Sequence, residues 1–362
     1  MPSHAEQSGE PYLTADADAL LRTVVAPAPD EPHAAGKNIL YCGTIQLAWN
    51  ELLRLCGGPP DLGGPCEIAE RLSREASRFT RDDLDDDSYV ARAGEGDAVL
   101  SEIRRELARK FQGAASPGML PERLPGDALF VYAYLFKSLA FATPLLREEG
   151  GGLEFNGSRS VRHFGLWETA DEADWKQQAR QVVVHDHRSD EDFVVELLTR
   201  ARDDRLIVAR VPPGATLLAT TREVLARATP SAWSRMMGGA HLRRKDTLKI
   251  PIVDFDVLCH FSELAGRRLA SRQRIISQAD QSIRFRLDDK GALLKSEFAL
   301  TAPRGGIRLG FLPRNFICDG PFLVLLLRRG RAAPYLSLWI EDTELLIPAR
   351  DAPLPAPPLM AL

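Results

Sequence analysis

At 362 residues and 40.0 kDa, with 44% hydrophobic residues, the chain can bury a large core as one big domain or two smaller ones. A formal charge of -4 argues against a nucleic acid or an acidic membrane as the main partner. The five cysteines, Cys42, Cys56, Cys66, Cys259 and Cys318, are odd in number and lack Cys-x-x-Cys spacing, so neither a disulfide framework nor a zinc site follows. The stretch Met1–Glu10 has no basic leader and no apolar core, and the expectation is a cytoplasmic, bacterial-type intracellular protein without a cofactor.

Taken in order, Asp16–Val25 is helix-like and belongs to an N-terminal segment, residues 1–36, that ends in the Pro/Ala/Asp-rich connection Pro27–Gly36. Ile39–Tyr41 is a short strand leading into an apolar-periodic helix, Thr44–Leu55. The Gly/Pro cluster at 57–65 is a turn without the Lys-Ser/Thr of a phosphate loop, and Glu67–Phe79 is helical. Arg81–Asp87 is an acidic loop that lacks the central Gly and terminal Glu of a calcium loop, and Val99–Phe111 is an amphipathic helix.

Ala128–Leu146 is almost continuously apolar, but Lys137 and Ser138 sit at its middle, where a lysine in a bilayer costs roughly 2.5–3.5 kcal/mol. Pro144 also breaks a helical reading, so the stretch is read as a buried strand, Ala128–Phe136, and not a membrane span. Beyond it the texture is mostly strands: Phe193–Thr199, Leu206–Val211 and Leu248–Leu258, with short helices at Thr216–Arg227, Ser231–Met237 and Ser262–Arg268. These strands are not spaced as βαβ units, which implies an α+β class with mixed or antiparallel sheets. The run Phe316–Leu327, the turn Arg328–Arg331 and the run Pro334–Ile340 read as a buried hairpin, and Pro348–Leu362 as a loose tail.

Few residue groups suggest catalysis. His185 and His187 share a strand face if the strand is regular, beside Asp190, Glu191 and Asp192, but spacing fixes no third metal ligand and a polar turn explains them. Cys42 and His260 form a nucleophile pair only if the fold brings them together. The basic clusters Arg243–Lys245 and Arg328–Arg331 read as solvated turns able to bind polyanions. The chain is therefore not expected to be an enzyme.

Several stretches, in the right order, resemble the serpins. Lys37–Ala48 resembles the family's strand-to-helix junction, and Leu129–Lys137 with Phe155–Gly157 resembles the central strand and the later Asn-Gly turn. Trp233, Leu248–Phe255 and Leu264–Gly266 resemble the Trp and Leu-Pro-x-Phe block, and Phe316–Ile340 is similar to the C-terminal buried hairpin. The likeness covers most of residues 37–347, read as one domain followed by the tail 348–362. It implies a serpin-like fold of mixed and antiparallel sheets, and a reactive-loop equivalent at about 288–315. The departures matter as much. Between Gly113 and Leu124 only Pro/Gly-rich sequence stands where the family places the helix crossing its main sheet, so that helix is expected to be missing. At positions that guard sheet opening, the usual Ser-Pro-x-Ser reads Cys42-Gly-Thr-Ile45, the usual Asn reads Tyr132 and the usual His reads Gln281.

In an inhibitory serpin, a protease cleaves the exposed loop and the freed hinge inserts into the main sheet. Insertion between packed strands demands small side chains. In the matching hinge, Gly291 and Ala292 fit, whereas Leu293, Leu294, Lys295 and Glu297 do not; Ser296 lies between them. The alternation Ala292, Leu294, Ser296, Phe298, Leu300 is that of a resident half-buried strand. Arg304, followed by Gly305, or Arg308, with Arg314 further on, is either bait for a trypsin-like protease or the solvated charge common on any exposed loop. The expected partner is a serine protease or another protein held through this loop, with inhibition weak or lost; an active inhibitor using Arg304 or Arg308 is the alternative.

Overall fold

The computed structural model describes residues 12–111, 120–124, 128–148, 150–168, 172–229, 241–270, 274–276, 279–294 and 313–349. The chain begins with β1 (Leu13–Asp16), a 3-10 turn (Ala17–Ala19), β2 (Thr23–Ala26), β3 (Asn38–Cys42), α1 (Thr44–Cys56), α2 (Glu67–Glu75), β4 (Tyr89–Glu95) and α3 (Gly96–Phe111). The middle carries β5 (Ala128–Leu135), β6 (Lys137–Ala140), β7 (Leu146–Arg147), β8 (Leu153–Phe155), β9 (Arg159–Val161), β10 (His163–Leu166) and α4 (Glu172–Ala179). It continues with β11 (Val182–Ser189), β12 (Asp192–Leu197), β13 (Asp204–Arg210) and α5 (Leu217–Arg227). The last third holds β14 (Thr247–Pro251), β15 (Val253–His260), β16 (Arg268–Leu269), β17 (Arg274–Ile276), β18 (Asp280–Asp288), β19 (Gly291–Leu294), β20 (Asn315–Ile317), β21 (Phe322–Arg328), β22 (Leu336–Ile340) and a 3-10 turn (Thr343–Leu345).

The class is α+β with mixed sheets. Seven strands in the order β11-β12-β13-β21-β22-β3-β2 form the largest sheet, and five in the order β1-β15-β18-β19-β6 form a second. Two four-stranded sheets, β20-β14-β10-β7 and β16-β17-β5-β4, and the hairpin β8-β9 complete the set. Because β5 runs into β6 across Phe136 alone, the β5 sheet and the five-stranded sheet are joined along one stretch of chain.

Burial on both faces explains why β21 is continuously apolar. Phe322, Val324 and Leu326 pack with Phe255, Phe285 and Leu287 of the five-stranded sheet. Leu323, Leu325 and Leu327 pack with Leu217 and Val224 of α5. The hairpin is thus β21–β22, joined by the turn at Arg329–Gly330. The run expected to begin at Phe316 is broken at Asp319–Pro321, so Asn315–Ile317 pairs with β14 in a different sheet.

Other expectations need correction. Asp16–Val25 is not an α-helix: it gives the end of β1, a 3-10 turn and β2, because β15 and β3 each offer a parallel edge and Thr23-Val24-Val25 is β-branched. Leu248–Leu258 is two strands that part at Ile252 and enter different sheets. Ser262–Arg268 holds a single turn, closed by Gly266 in the left-handed region at φ 79°. The tail starts later than Pro348, since Pro348 bridges Val161 and the Ala349 amide donates to Ser160. The helix α4 had no expectation. Ser231–Met237 lies outside the described residues, as do 113–119 of the stretch Gly113–Leu124 where the crossing helix is expected to be missing; Leu120–Leu124 carries no helix. Among the described residues no helix is long and apolar enough to cross a membrane.

Candidate functional site

The hinge candidates begin where β18 turns back on itself. Asp288 closes the turn, its Oδ1 accepting the Lys290 amide at 2.9 Å while Oδ2 accepts Arg286 Nε at 2.7 Å. The next carboxylate, Asp289, lies 3.2 Å from Arg147 Nη1, and burial pushes its pKa upward, helped by the Asp288 charge and opposed by Arg147. Two carbonyls of the turn are also held: the Leu145 amide donates to Asp289 O at 2.8 Å, and the Phe141 amide to Lys290 O at 2.9 Å. Gly291 follows at φ 129°, and a Cβ there would lie 2.4 Å from Leu139 O. Only glycine fits that junction.

The chain then enters the sheet. Gly291–Leu294 pairs antiparallel with β18 on one side (Arg286↔Leu293, Leu287↔Ala292) and with β6 on the other (Ala292↔Leu139, Leu294↔Lys137). Ala292 is buried in the main core and Leu293 is half-buried. The hinge candidates Lys295, Ser296 and Glu297, and the loop candidates Arg304, Gly305 and Arg308, lie outside the described residues. Arg314, just before β20, is bound: Nη2 sits 2.6 Å from Asp246 Oδ2 and its amide donates to Asp246 Oδ1 at 3.0 Å.

Behind β19, β6 is pinned to the seven-stranded sheet. Lys137 Nζ lies 2.8 Å from Asp204 Oδ2 with both side chains buried, and Tyr335 Oη donates to Asp204 Oδ1 at 3.2 Å. Burial pushes the Asp204 carboxyl up, with the Lys137 charge opposing it.

The residues at the positions expected to guard sheet opening divide between two settings. Gln281 on β18 donates through Nε2 to Cys42 O at 2.9 Å and also to Thr44 Oγ1, crossing from the five-stranded sheet to the start of α1. Gln281 therefore ties the sheet to the end of β3. Tyr132 does not take part. Alternation turns it to the other face of β5, where it is buried with Val90, Phe130, Val99 and Leu100 of α3 and lies 6.1 Å from the Phe130 ring.

None of the sites considered for chemistry assembles. Cys42 is buried, its Sγ 3.5 Å from Thr44 Oγ1, and burial pushes its pKa up. His260 is exposed and lies 2.8 Å from Asp280 Oδ1, so the Cys42/His260 pair does not form. A bulge between Val184 and Asp186 puts His185 and His187 on opposite faces of β11. His185 Nε2 meets Glu196 Oε2 at 2.8 Å on the α5 side, whereas the His187 ring lies 4.9 Å from that of Phe316 in the core. Burial would raise the Glu196 carboxyl, but bonds from His185 and Arg205 and the charges of Arg205 and Arg329 outweigh it, and its pKa falls to about 2. Among the described residues no group of three or more His, Cys, Asp or Glu is placed to hold a metal.

No protein-family model matches the chain. No curated protein matches it either. Solved structures do. Human thyroxine-binding globulin in complex with thyroxine is 12% identical over 84% of this chain and 91% of its own, with a TM-score of 0.44. A serpin from the trematode Schistosoma haematobium is 10% identical over 84% and 94%, TM-score 0.44. Serpin-12 of Manduca sexta is 12% identical over 86% and 93%, TM-score 0.45. These likenesses are of fold and assign no residue a role; the structures that the chain is similar to are serpins, the family its sequence resembles.

Proposed function

We propose that the chain is a serpin-type protein whose loop, within 291–315, binds a protein partner, and that it has weak or no covalent-trap inhibition. The observation that carries this reading is the position of Gly291–Leu294 as a strand hydrogen-bonded to β18 and β6 at once. A trap needs its hinge free to enter the sheet after cleavage, and here the hinge's first four residues already occupy a place in it. The turn that delivers them is bound at Asp288, Asp289 and Lys290. Bulky residues further along, Lys295 and Glu297, add to the cost of any deeper sliding between packed strands.

The test is incubation with a trypsin-like and a subtilisin-like protease, followed by denaturing electrophoresis and heat unfolding before and after loop cleavage. Cleavage without an SDS-stable complex, and with little change in unfolding temperature, is the expected result. A covalent complex formed at Arg304 or Arg308, or a large gain in stability on cleavage, favours the active-inhibitor reading instead.

A further inference from the structure

The N-terminal strands lie on the outer edges of two different sheets. β1 runs parallel along β15 (Leu13↔Phe255 to Asp16↔Leu258) and β2 runs parallel along β3 (Thr23↔Asn38 to Ala26↔Tyr41). One short connection joins them, and one carboxylate binds its end: Glu344 accepts the Leu21 amide at 2.8 Å, the Arg22 amide at 3.0 Å and the Thr23 hydroxyl at 2.7 Å. Arg22 O accepts the Asn38 amide at 2.7 Å, and Thr23 Oγ1 also accepts Asn38 Nδ2 at 3.1 Å. From Leu21 onward the segment is held by a dense set of bonds. Before it, the hold is lighter. None of the four β1 side chains is fully buried and the 3-10 turn buries none; Leu13, Ala17 and Leu20 rest partly buried against the core, and Leu21 is 75% exposed.

The ion contact from β15 to β1 is His260, whose Nε2 lies 3.9 Å from Asp16 Oδ1 while Nδ1 meets Asp280 Oδ1 at 2.8 Å. The charged groups facing the ring are Asp280 from β18, Asp16 from β1 and Asp18 from the 3-10 turn, all acidic.

We propose that Leu13–Leu20 is a releasable clasp over the edge of the five-stranded sheet, hinged where Glu344 binds residues 21–23 and latched by the imidazolium of His260 against Asp16 and Asp280. The inference does not depend on the hinge reading above. When the latch is charged the clasp covers the β15 edge. When it is neutral, the four backbone pairs of β1 and the partly buried Leu13, Ala17 and Leu20 hold without the ion contact, and opening exposes a strand edge able to accept another strand in parallel. The sign follows from the environment: the hydrogen bond to Asp280, with the Asp16 and Asp18 charges, raises the His260 pKa, so the latch is closed below that value and released as pH rises through it.

Amide hydrogen exchange of the whole protein from pH 5.5 to 8.5, corrected for intrinsic exchange rates, tests this. Protection of residues 13–16 is expected to fall roughly two- to fivefold across His260's titration, in line with an exposed ion pair, while β21 stays unchanged. His260→Gln is expected to remove that pH dependence, and Asp16→Asn, an exposed change on the clasp itself, to do the same should the first variant fold poorly. Protection of 13–16 that equals that of β21, shows no pH dependence, or keeps its pH dependence in both variants overturns the proposal.

Discussion

Lys137 and Asp204 meet at 2.8 Å with 7% and 4% of their side chains exposed, and this buried pair is the bolt between β6 and the seven-stranded sheet. Its position matters because the other edge of β6 carries β19. Lys137→Met would leave Asp204 buried without its counter-charge, a loss of about 3–5 kcal/mol by denaturant unfolding. Asp204 has a raised pKa in the fold, so stability is fullest below the unfolded carboxyl value and is lost as pH rises through the folded one. Removing Lys137 raises that pKa further, and the deficit should therefore be larger at pH 7 than at pH 4.5. The double variant Lys137→Met with Asp204→Asn should recover part of the loss.

Glu196 titrates in the opposite sense. Its pKa of about 2 lies below the ordinary value, so its contribution is present above roughly pH 4.3 and is lost as pH falls toward 2. The carboxylate is shared by His185, Arg205 and Arg329 at 2.8, 2.6 and 2.9 Å, all drawn from other strands or turns of the seven-stranded sheet. Glu196→Gln should cost about 3 kcal/mol at pH 7 and much less at pH 2.5, read as the difference between two urea titrations. A deficit that is equal at both pH values would show that the loss is one of packing and not of charge.

How much of this was legible in the sequence depends on how local the signal is. β21 announces itself because burial on both faces makes Phe322–Leu327 wholly apolar, and α1 and α3 because one face does. The bulk of Leu293, Leu294, Lys295 and Glu297 is legible because side-chain size needs no structure to be known. The bolt was not: Lys137 and Asp204 are 67 residues apart, and Lys137 read only as an obstacle to a membrane span. Asp16–Val25 looks helical in the sequence because the strand pairing on either side of its 3-10 turn is supplied by distant partners. A bulge at Val184–Asp186 separated two histidines that strict alternation would have kept together.

Gln281 links the five-stranded sheet to the junction of β3 and α1. Its amide holds Cys42 O and Thr44 Oγ1, and it is 4% exposed. Gln281→Leu should cost about 1–3 kcal/mol, because Cys42 O and Thr44 Oγ1 each lose a donor in the interior. Hydrogen exchange should place the effect at β18 and the first turn of α1. Unchanged exchange at Thr44–Leu47 would mean that the contact does not couple the sheet to the helix.

The glycine at the head of β19 gives the most direct handle on the proposed function. At φ 129°, with Leu139 O 2.4 Å from where a Cβ would stand, Gly291→Ala brings both backbone strain and a collision with a strand that β19 pairs with. Backbone strain alone is worth about 1–3 kcal/mol, and the collision can be relieved only if β6 and β19 part. The variant should therefore lose β19 protection in hydrogen exchange well before β21, with a total loss of at least about 2 kcal/mol. Parting β19 from β6 should also make the loop that follows more readily cleaved by trypsin. Cleavage kinetics that match the parent, together with retained β19 protection, would show that Gly291 does not set the strand and would remove the main support for a fixed hinge.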